Sequence, residues 1–440
     1  MESIQNEVTR GTYGAQQPAV MGGSQLAAFL QQHIRRGSLI VVEPGGRRTL
    51  CGQAEAKLAV TLHVHHEGLF ARVLAGGSLA LGESYADGWW SVAGDRLADL
   101  FSLLFANNVD QLFTQSPVQT LLERVRRWRP LRSKREKSRE DIRMHYDLSN
   151  EFFALMLDAT MMYSCGYARN ESDDLATMQE QKLDRIARKL GLDRGGELLD
   201  IGCGWGGLLL HVAKNYPQVR GLGITLSEEQ YSFVHAALRE RGLADRFRVQ
   251  LLDYRDLSGR YDFVVSVGMF EHVEYASYGT FLKKVSTALN PDGVALLHTI
   301  GLEEEPSRRQ DPWMERHIFP GSRLPRLEEL ARTARQSHLA VGHVENWRPH
   351  YALTLKHWRR NFVANWGAIQ QLGSRFDNRF FRKWDLYLQL CEACFVDSTV
   401  ELYQLLLTPR PAWNLPLNLE FAPTVERGLL AAAARQSLSP

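Results

Sequence analysis

The chain has 440 residues, of which 44% are hydrophobic, and its 52 Lys and Arg nearly balance its 50 Asp and Glu. This length allows more than one domain, and the apolar share is ordinary for a globular protein. The balanced charge gives no electrostatic reason to expect a nucleic-acid partner, and we expect none. No apolar run is long enough to span a membrane, the first residues lack a signal-peptide pattern, and the five scattered cysteines fit a reducing compartment. We therefore expect a cytoplasmic protein.

The amino-terminal quarter is predicted to hold a flexible start and a small domain. Residues 1–22, rich in Gln, Gly and Ser, are predicted to be flexible. Residues 23–115 are predicted to form a small α+β domain. The predicted elements are a helix at 24–36, strands at 38–42, 59–65 and 69–74, and a helix at 97–107. We expect the second and third strands to form a hairpin around Glu67 and Gly68.

Residues 116–143 are predicted to be a basic linker. Between Arg124 and Arg139, nine Arg and Lys residues accompany a single Glu136. Anionic lipid head groups attract each nearby basic residue by about 1 kcal/mol, so one interpretation is a segment that faces a membrane. A solvated linker is the second interpretation. Both stay open on the sequence alone.

The stretch 197–207 is the most informative, because an apolar strand runs into Asp200 and then into a glycine-rich turn that opens a helix. Glycines at 202 and 204 let the backbone turn sharply and approach a ligand closely. Asp200 is placed to accept hydrogen bonds from a cationic amino group. A dinucleotide site would show an acidic residue about 20 positions farther on. The chain has none there, which argues against NAD and leaves Thr225, Gln230 or backbone groups to hold a cofactor sugar.

The catalytic segment is predicted at 144–407, with an α/β, Rossmann-like core at about 180–300. A third strand is predicted to end at 251–254, and a fourth, 261–270, runs into Glu271 and His272. Open α/β sheets bind ligands at such carboxyl ends of strands. Flanking pieces at 145–178 and 302–407 are predicted to be mostly helical and to cover the site. The tail, 408–440, is rich in proline and then in alanine and carries no motif.

Six motifs stand in order along this segment: MHYDL (144–148), MYSCGY (162–167), LDIGCGWGG (199–207), GMFEHV (268–273), LLHTIG (296–301) and YALTL (351–355). Together they resemble the cyclopropane fatty acid synthases, a family of S-adenosylmethionine-dependent methyltransferases that act on lipid double bonds. The resemblance implies a class I methyltransferase fold with a helical cover. It also implies that the small N-terminal domain is similar to the lipid-binding domain of the longer family members.

The resemblance implies S-adenosylmethionine as the methyl donor. The positions that match the family's cofactor motifs are Tyr163, Ser164, Asp200, Gly202, Gly204, Thr225, Leu226, Gln230, Asp253 and Tyr254.

The chemistry requires a base. An alkene is a poor nucleophile, so its attack on the sulfonium methyl needs in-line alignment with water excluded, and it leaves a carbocation that must lose a proton. The resemblance implies a bound bicarbonate ion as that base, and the matching positions are Cys165, Glu271, His298, Tyr351 and the backbone of Ile300. His298 and Tyr351 can donate hydrogen bonds to its oxygens. We expect Glu271 to accept the bicarbonate hydroxyl proton, because a second carboxylate would otherwise repel the anion.

Aromatic faces are expected to shelter the carbocation, a contact of up to about 2 kcal/mol when desolvated. The candidates for this substrate pocket are Tyr146, Tyr167, Phe270 and Trp347, of which Tyr146 lies in a family motif. For Phe270 and Trp347, a role as ordinary core aromatics stays open.

The function predicted from the sequence is cyclopropane formation at the cis double bond of unsaturated phospholipid chains, by an enzyme peripheral on the inner face of the membrane. If the cation loses another proton or accepts a hydride, the product is a methylene or methyl-branched chain, and the family includes such enzymes. A small-molecule N-methyltransferase and a lipid-binding scaffold are two competing hypotheses. A homodimer is a further open hypothesis.

Two clusters raise the question of a metal site. His63 and His65 would share one face of a strand, and Cys391 and Cys394 have a metal-like spacing within a helix-like run at 384–407. Neither cluster has the further ligands that zinc needs, so we expect no metal.

Overall fold

A computed structural model describes residues 24–114, 148–303, 311–320, 323–410 and 415 of the protein. The predicted segments 1–22 and 116–143 and most of the tail lie outside these residues. The chain forms two compact units. The first takes in the amino-terminal part together with Asp311–Trp313 and Asp377–Asp397, and the second takes in the rest. Asp377–Asp397, although inside the predicted catalytic segment, therefore belongs to the first unit.

The first unit contains a four-stranded sheet with the order β2-β1-β3-β4. Strand β1 pairs antiparallel with β2 and parallel with β3. The strands are β1 (Ser38–Val42), β2 (Arg48–Gly52), β3 (Ala59–Val64) and β4 (Trp90–Val92). Its amino-terminal helices are α1 (Gln25–His33), α2 (Leu69–Ala86), α3 (Leu97–Ala106) and α4 (Val109–Thr114), and the helix Asn378–Val396 packs with them.

The predicted strand at 69–74 is wrong, because α2 begins at Leu69. Leu69 and Val73 are both buried and stand four residues apart, which is the spacing of one helix face. The turn chemistry at Glu67 and Gly68 suggested a hairpin, but it precedes a helix here.

The second unit contains a seven-stranded sheet with the order β10-β11-β9-β8-β5-β6-β7. Strands β5 to β9 pair in parallel, whereas β11 pairs antiparallel with both β9 and β10. The strands are β5 (Gly196–Ile201), β6 (Val219–Thr225), β7 (Phe247–Leu251), β8 (Tyr261–Val267), β9 (Leu289–Gly301), β10 (Leu339–Asn346) and β11 (Glu401–Pro409).

Helices cover both faces of this sheet. Successive residues of β5 alternate between two buried clusters, Leu198 in one and Leu199 in the other, as expected for a parallel sheet buried on both faces. The helices of the second unit, in chain order, are α5 (Asn150–Met156), α6 (Leu175–Leu190), α7 (Gly207–Asn215), α8 (Glu228–Glu240), α9 (Tyr278–Ala288), α11 (Leu327–Gln336), α12 (Arg348–Ala364) and α13 (Trp366–Gln370). Helix α10 (Pro312–His317) begins in the first unit, and the helix Asn378–Val396 of the first unit is α14.

The prediction of a helix at 384–407 is correct up to Val396 and wrong from Glu401 onward. Helix α14 ends at Val396, and Glu401–Pro409 is the strand β11. A continuous apolar run such as 402–407 fits a buried strand and a buried helix equally well, so its periodicity could not decide between them.

Within the described ranges, no helix is long and apolar enough to cross a membrane.

Candidate active site

The glycine-rich loop lies between β5 and α7, as predicted. Gly202 and Gly204 have φ values of +81° and +55°, which are conformations that favour glycine. A Cβ at Gly202 would also lie 2.5 Å from Cγ of Met269. The sequence therefore needs glycine at 202 for both conformation and space.

This loop opens on a cavity at the carboxyl ends of β5, β6 and β8, which is open to solvent and encloses about 1210 Å³ of empty space when the solvent at its mouth is included. Nine of the ten predicted cofactor residues line it: Tyr163, Ser164, Asp200, Gly202, Gly204, Thr225, Leu226, Gln230 and Tyr254. Asp253 is not among the lining residues, and its carboxylate accepts hydrogen bonds from Nε and Nη2 of Arg255 at 2.8 and 2.6 Å. The structure thus brings together residues that are up to 91 positions apart, from Tyr163 to Tyr254, at one edge of the sheet.

Asp200 lies near a buried lysine, Lys182, that was not among the residues predicted from the sequence. Lys182 of α6 is fully buried, and its Nζ donates to Oγ of Ser164 at 3.0 Å. Burial raises the pKa of Asp200 to about 7 while Lys182 opposes the rise. Burial likewise lowers the pKa of Lys182 to about 7, and Asp158, Cys165 and Asp200 oppose that shift. A lysine on the buried face of α6, between Met178 and Ile186, is the signal that could have revealed it.

Glu271 and Ile300 are brought into direct contact. Oε1 of Glu271 accepts a hydrogen bond from the backbone N–H of Ile300 at 2.8 Å. The carboxyl group is buried, and its Oε2 has no hydrogen-bond partner within the described residues. Burial raises the pKa of Glu271 to about 7, with the Ile300 N–H acting against it. The backbone of Ile300 thus holds one carboxyl oxygen in place, and the second oxygen is available to a ligand.

His298 lies on the same strand as Ile300 and is 1% exposed. Its Nδ1 is 2.9 Å from Nε2 of Gln404, and its Nε2 has no partner in the part of the chain that the structure describes. Burial first, and then the cations Lys182 and Lys189, lower the pKa of His298 well below its ordinary value. The imidazole is therefore neutral at physiological pH.

Helix α12 carries Tyr351 and contacts Cys165 through Thr354. Cys165 is fully buried, burial raises the pKa of its thiol, and Lys182 is one of the charges that act on it. Oγ1 of Thr354 lies 3.9 Å from its Sγ and accepts from the N–H of Gly166 at 3.0 Å. Thr354 stands one turn after Tyr351 on α12, and the ring of Tyr351 meets Trp358 edge-on at 5.9 Å. A thiol with a raised pKa stays protonated, so Cys165 is a weak hydrogen-bonding group here and not a nucleophile.

The aromatic candidates divide into two groups. Tyr167 packs against Trp347 at 4.8 Å, and Trp347 meets the ring of His298 edge-on at 5.6 Å. Phe270 is fully buried and packs against Tyr278 and Phe281 at 4.6 and 5.1 Å, contacts that favour the core interpretation considered for it. Tyr146 lies outside the described residues.

No group of three or more potential metal ligands occurs within the described ranges.

Comparisons with known proteins support the resemblance. The profile of the family described as mycolic acid cyclopropane synthetase matches residues 133–405. The chain is 37% identical over 350 residues to the cyclopropane-fatty-acyl-phospholipid synthase of Escherichia coli K12, covering 79% of this chain and 87% of that one. This chain belongs to the cyclopropane fatty acid synthase family of S-adenosylmethionine-dependent methyltransferases. The predicted family and enzyme class are thereby confirmed.

Further similarities agree with this family and its fold. The chain is 33% identical to the tuberculostearic acid methyltransferase UfaA1 of Mycobacterium tuberculosis, over 81% of this chain and 84% of that one. The mycolic acid cyclopropane synthase CmaA1, solved with SAH and CTAB, superposes with a TM-score of 0.57 at 32% identity, over 61% of this chain and 97% of that one. Coclaurine N-methyltransferase, at 20% identity and a TM-score of 0.54, shares the fold. The predicted Rossmann-like methyltransferase fold is confirmed.

Proposed function

We propose that this family member transfers the methyl carbon of S-adenosylmethionine to a cis double bond of an unsaturated phospholipid chain and closes a cyclopropane ring. In this reaction the carbon–sulfur bond of the sulfonium breaks as a carbon–carbon bond forms. Loss of a proton from the transferred methyl then closes the ring. The observation that carries the proposal is a pair of buried atoms without partners among the described residues, Nε2 of His298 and Oε2 of Glu271, in a chain with this family's cofactor loop.

The cavity residues fit S-adenosylmethionine, which supplies an electrophilic methyl group. Gly202 and Gly204 let the backbone come close to the ligand, where a Cβ at Gly202 would clash with Met269. Asp200 is the acceptor for the cationic amino group of the methionine part. Thr225 donates to Oε1 of Gln230 at 2.8 Å, so these side chains are ordered before the cofactor arrives. The same role of lining the cofactor is proposed for Tyr163, Ser164, Leu226 and Tyr254, and the resemblance adds Asp253, which holds Arg255 in the structure.

The anion site fits bicarbonate, which supplies a base for the proton that the carbocation loses. A neutral imidazole with its proton on Nε2 offers a donor, whereas Oε2 of Glu271 offers an acceptor. Bicarbonate carries both acceptor oxygens and one O–H, so it can pair with both groups. A carboxylate at the same place would leave Glu271 without a donor to accept from. Cys165, Ile300 and Tyr351 complete the site that we propose, with Tyr351 as a further donor.

The protein's own aromatic groups protect the cation from water. Trp347 is 1% exposed and Tyr167 is buried, so their packed rings provide a dry surface beside His298. A cation over such faces gains up to about 2 kcal/mol when desolvated. We propose Tyr167 and, from the resemblance alone, Tyr146 as part of the substrate pocket, whereas the packing of Phe270 against Tyr278 and Phe281 favours a core role for that residue.

Fatty acid analysis of expressing cells tests this function. Cells that express the chain are fed labelled methionine, and their fatty acids are analysed by gas chromatography and mass spectrometry before and after hydrogenation. The expected product is one added labelled CH2 per unsaturated chain that resists hydrogenation, absent with His298→Ala. Unlabelled chains from cells that contain folded enzyme would contradict the proposal.

A methyl-branched product is the second candidate. The specific observation in its favour is the 33% sequence identity to the tuberculostearic acid methyltransferase, which is close to the 37% identity to the cyclopropane-fatty-acyl-phospholipid synthase. The same analysis separates the two, because a branched saturated chain gains a methyl group and a methylene chain takes up hydrogen.

The cellular location follows from the substrate. A phospholipid lies in the membrane, so we propose a cytoplasmic enzyme that binds the inner face peripherally. The nine basic residues between Arg124 and Arg139 support this by their attraction to anionic head groups.

A homodimer stays a hypothesis that sedimentation would test.

A further inference from the structure

A buried polar chain runs from His298 to helix α6. His298 of β9 and Gln404 of β11 are direct neighbours across the two strands. Nε2 of Gln404 lies 2.9 Å from Nδ1 of His298, and Oε1 of Gln404 lies 2.6 Å from Nζ of Lys189. His298, Gln404 and Lys189 are 1%, 1% and 3% exposed, so water does not compete for these bonds.

The chemistry of Lys189 fixes the direction of each bond. An ammonium group has three donors and no acceptor, so Gln404 must present its carbonyl oxygen to Lys189. The amide nitrogen of Gln404 then faces His298, and this nitrogen can only donate. Nδ1 of His298 must therefore accept, and the ring proton must lie on Nε2. The side-chain amide cannot be turned around without placing donor against donor at Lys189.

Lys189 keeps its charge because it is paired. Its Nζ also donates to Oε2 of Glu345 at 2.6 Å, and the indole N–H of Trp347 donates to the same oxygen at 2.7 Å. Burial lowers the pKa of Lys189 to about 8 with Glu345 opposing it, so the ammonium form prevails at neutral pH. Burial opposes ionisation of Glu345, but Lys189 and then Arg185 outweigh it and lower its pKa to about 2.

We propose that Gln404, oriented by Lys189, is a positioning residue that locks His298 as the neutral tautomer with its proton on Nε2. This inference rests on the proposed function for the identity of the anion that Nε2 contacts, but not for the tautomer itself. The opposite tautomer would turn a lone pair toward the anion. Removing one such donor from an oxyanion site costs about 10²–10³ in kcat.

The tautomer can be read directly by NMR. Histidine is labelled with 15N, and long-range 1H–15N correlations report which ring nitrogen of each of the 14 histidines carries a proton. His298 is assigned by the signals that disappear in His298→Gln. We expect a protonated Nε2 and a bare Nδ1 in the wild type. A proton on Nδ1 would overturn the proposal. Because the measurement needs no turnover, its result does not depend on whether the proposed function is correct.

Gln404→Glu then tests the lock. The carboxylate is nearly the same size and accepts from Lys189 as before, but it also demands a proton on Nδ1 of His298. We expect Nε2 to lose its proton and kcat to fall about 10²–10³-fold, with the KM for S-adenosylmethionine unchanged because Gln404 does not line the cofactor cavity. Lys189→Met removes the group that orients the amide, so the two tautomers should mix and kcat should fall less.

The matched control is Gln250→Glu on the exposed part of β7, which makes the same charge change and should alter neither the tautomer nor kcat. Across the variants, kcat should follow the fraction of His298 that carries a proton on Nε2. If His298 becomes an imidazolium in Gln404→Glu, Nε2 stays a donor and kcat should stay high. A kcat that falls while Nε2 keeps its proton would overturn the proposal.

Discussion

Replacing Glu271 with Gln should destroy activity and, at the same time, stabilise the fold. The substituted side chain would still accept from Ile300 through its oxygen, but its amide would put a donor where Oε2 now offers an acceptor. Loss of a hydrogen bond to a charged group costs about 1.5–3 kcal/mol, and an unpaired donor in the site adds about 1–3 kcal/mol. Together these terms predict a kcat about 10²–10⁴-fold lower.

The gain in stability follows from the buried charge. Burial raises the pKa of Glu271 from 4.5 to about 7. An acid with a raised pKa binds its proton more tightly in the folded state, so stability falls as pH rises through this window. At about 1.4 kcal/mol per unit of pKa, the penalty reaches about 3 kcal/mol above pH 7. Glu271→Gln removes it, so the gain in unfolding free energy should be greatest above pH 7 and vanish below about pH 4.5.

The assay combines release of S-adenosylhomocysteine, calorimetric binding of S-adenosylmethionine, and urea unfolding at several pH values. The affinity for S-adenosylmethionine should stay within a few-fold, because Glu271 does not line the cofactor cavity. Glu240→Gln, at an exposed position of α8, is the control for the charge change. Loss of cofactor affinity in step with turnover would refute the assignment of Glu271 to the anion site.

Three further predictions concern the cofactor and the membrane. Gly202→Ala should weaken S-adenosylmethionine binding at least tenfold by calorimetry, because its φ of +81° and Met269 exclude a Cβ; unchanged affinity would contradict the loop's role. Lys182→Met removes the cation that opposes the raised pKa of Asp200, so cofactor binding should require a higher pH; a binding–pH profile like the wild type would exclude this coupling. Changing Arg126, Arg127 and Arg129 to Ser should weaken the binding free energy to anionic vesicles, measured by co-sedimentation, by about 1 kcal/mol per residue. Binding equal to that of the wild type at low salt would favour a solvated linker.

The parts of the site that lie in local motifs could be predicted from the sequence. Gly202 and Gly204 follow from the strand–turn–helix pattern around them, and Glu271 and His298 stand in short motifs of the resemblance. Asp253 also stands in such a motif, but its neighbour Arg255 engages the carboxylate. A motif therefore fixes where a residue lies in the chain better than it fixes what the side chain contacts.

The supporting residues could not be predicted, because their partners are far away in the chain. Gln404 meets His298 across 106 positions only through the register of β11 on β9. The apolar run of β11 predicts the end of a helix when the sequence is considered alone, so its pairing with β9 could not be predicted. Lys189 reaches Gln404 only because α6 packs on the sheet with a lysine on its buried face.

The number of deuterium atoms that the product keeps distinguishes ring closure from the other fates of the carbocation. The purified enzyme is given S-adenosylmethionine with a fully deuterated methyl group and vesicles of a cis-unsaturated phospholipid. Ring closure removes one deuterium atom, so we expect a chain that keeps two of the three and takes up no hydrogen on hydrogenation. A saturated product that keeps all three deuterium atoms would mean that the cation is quenched by hydride, and it would contradict the cyclopropane assignment.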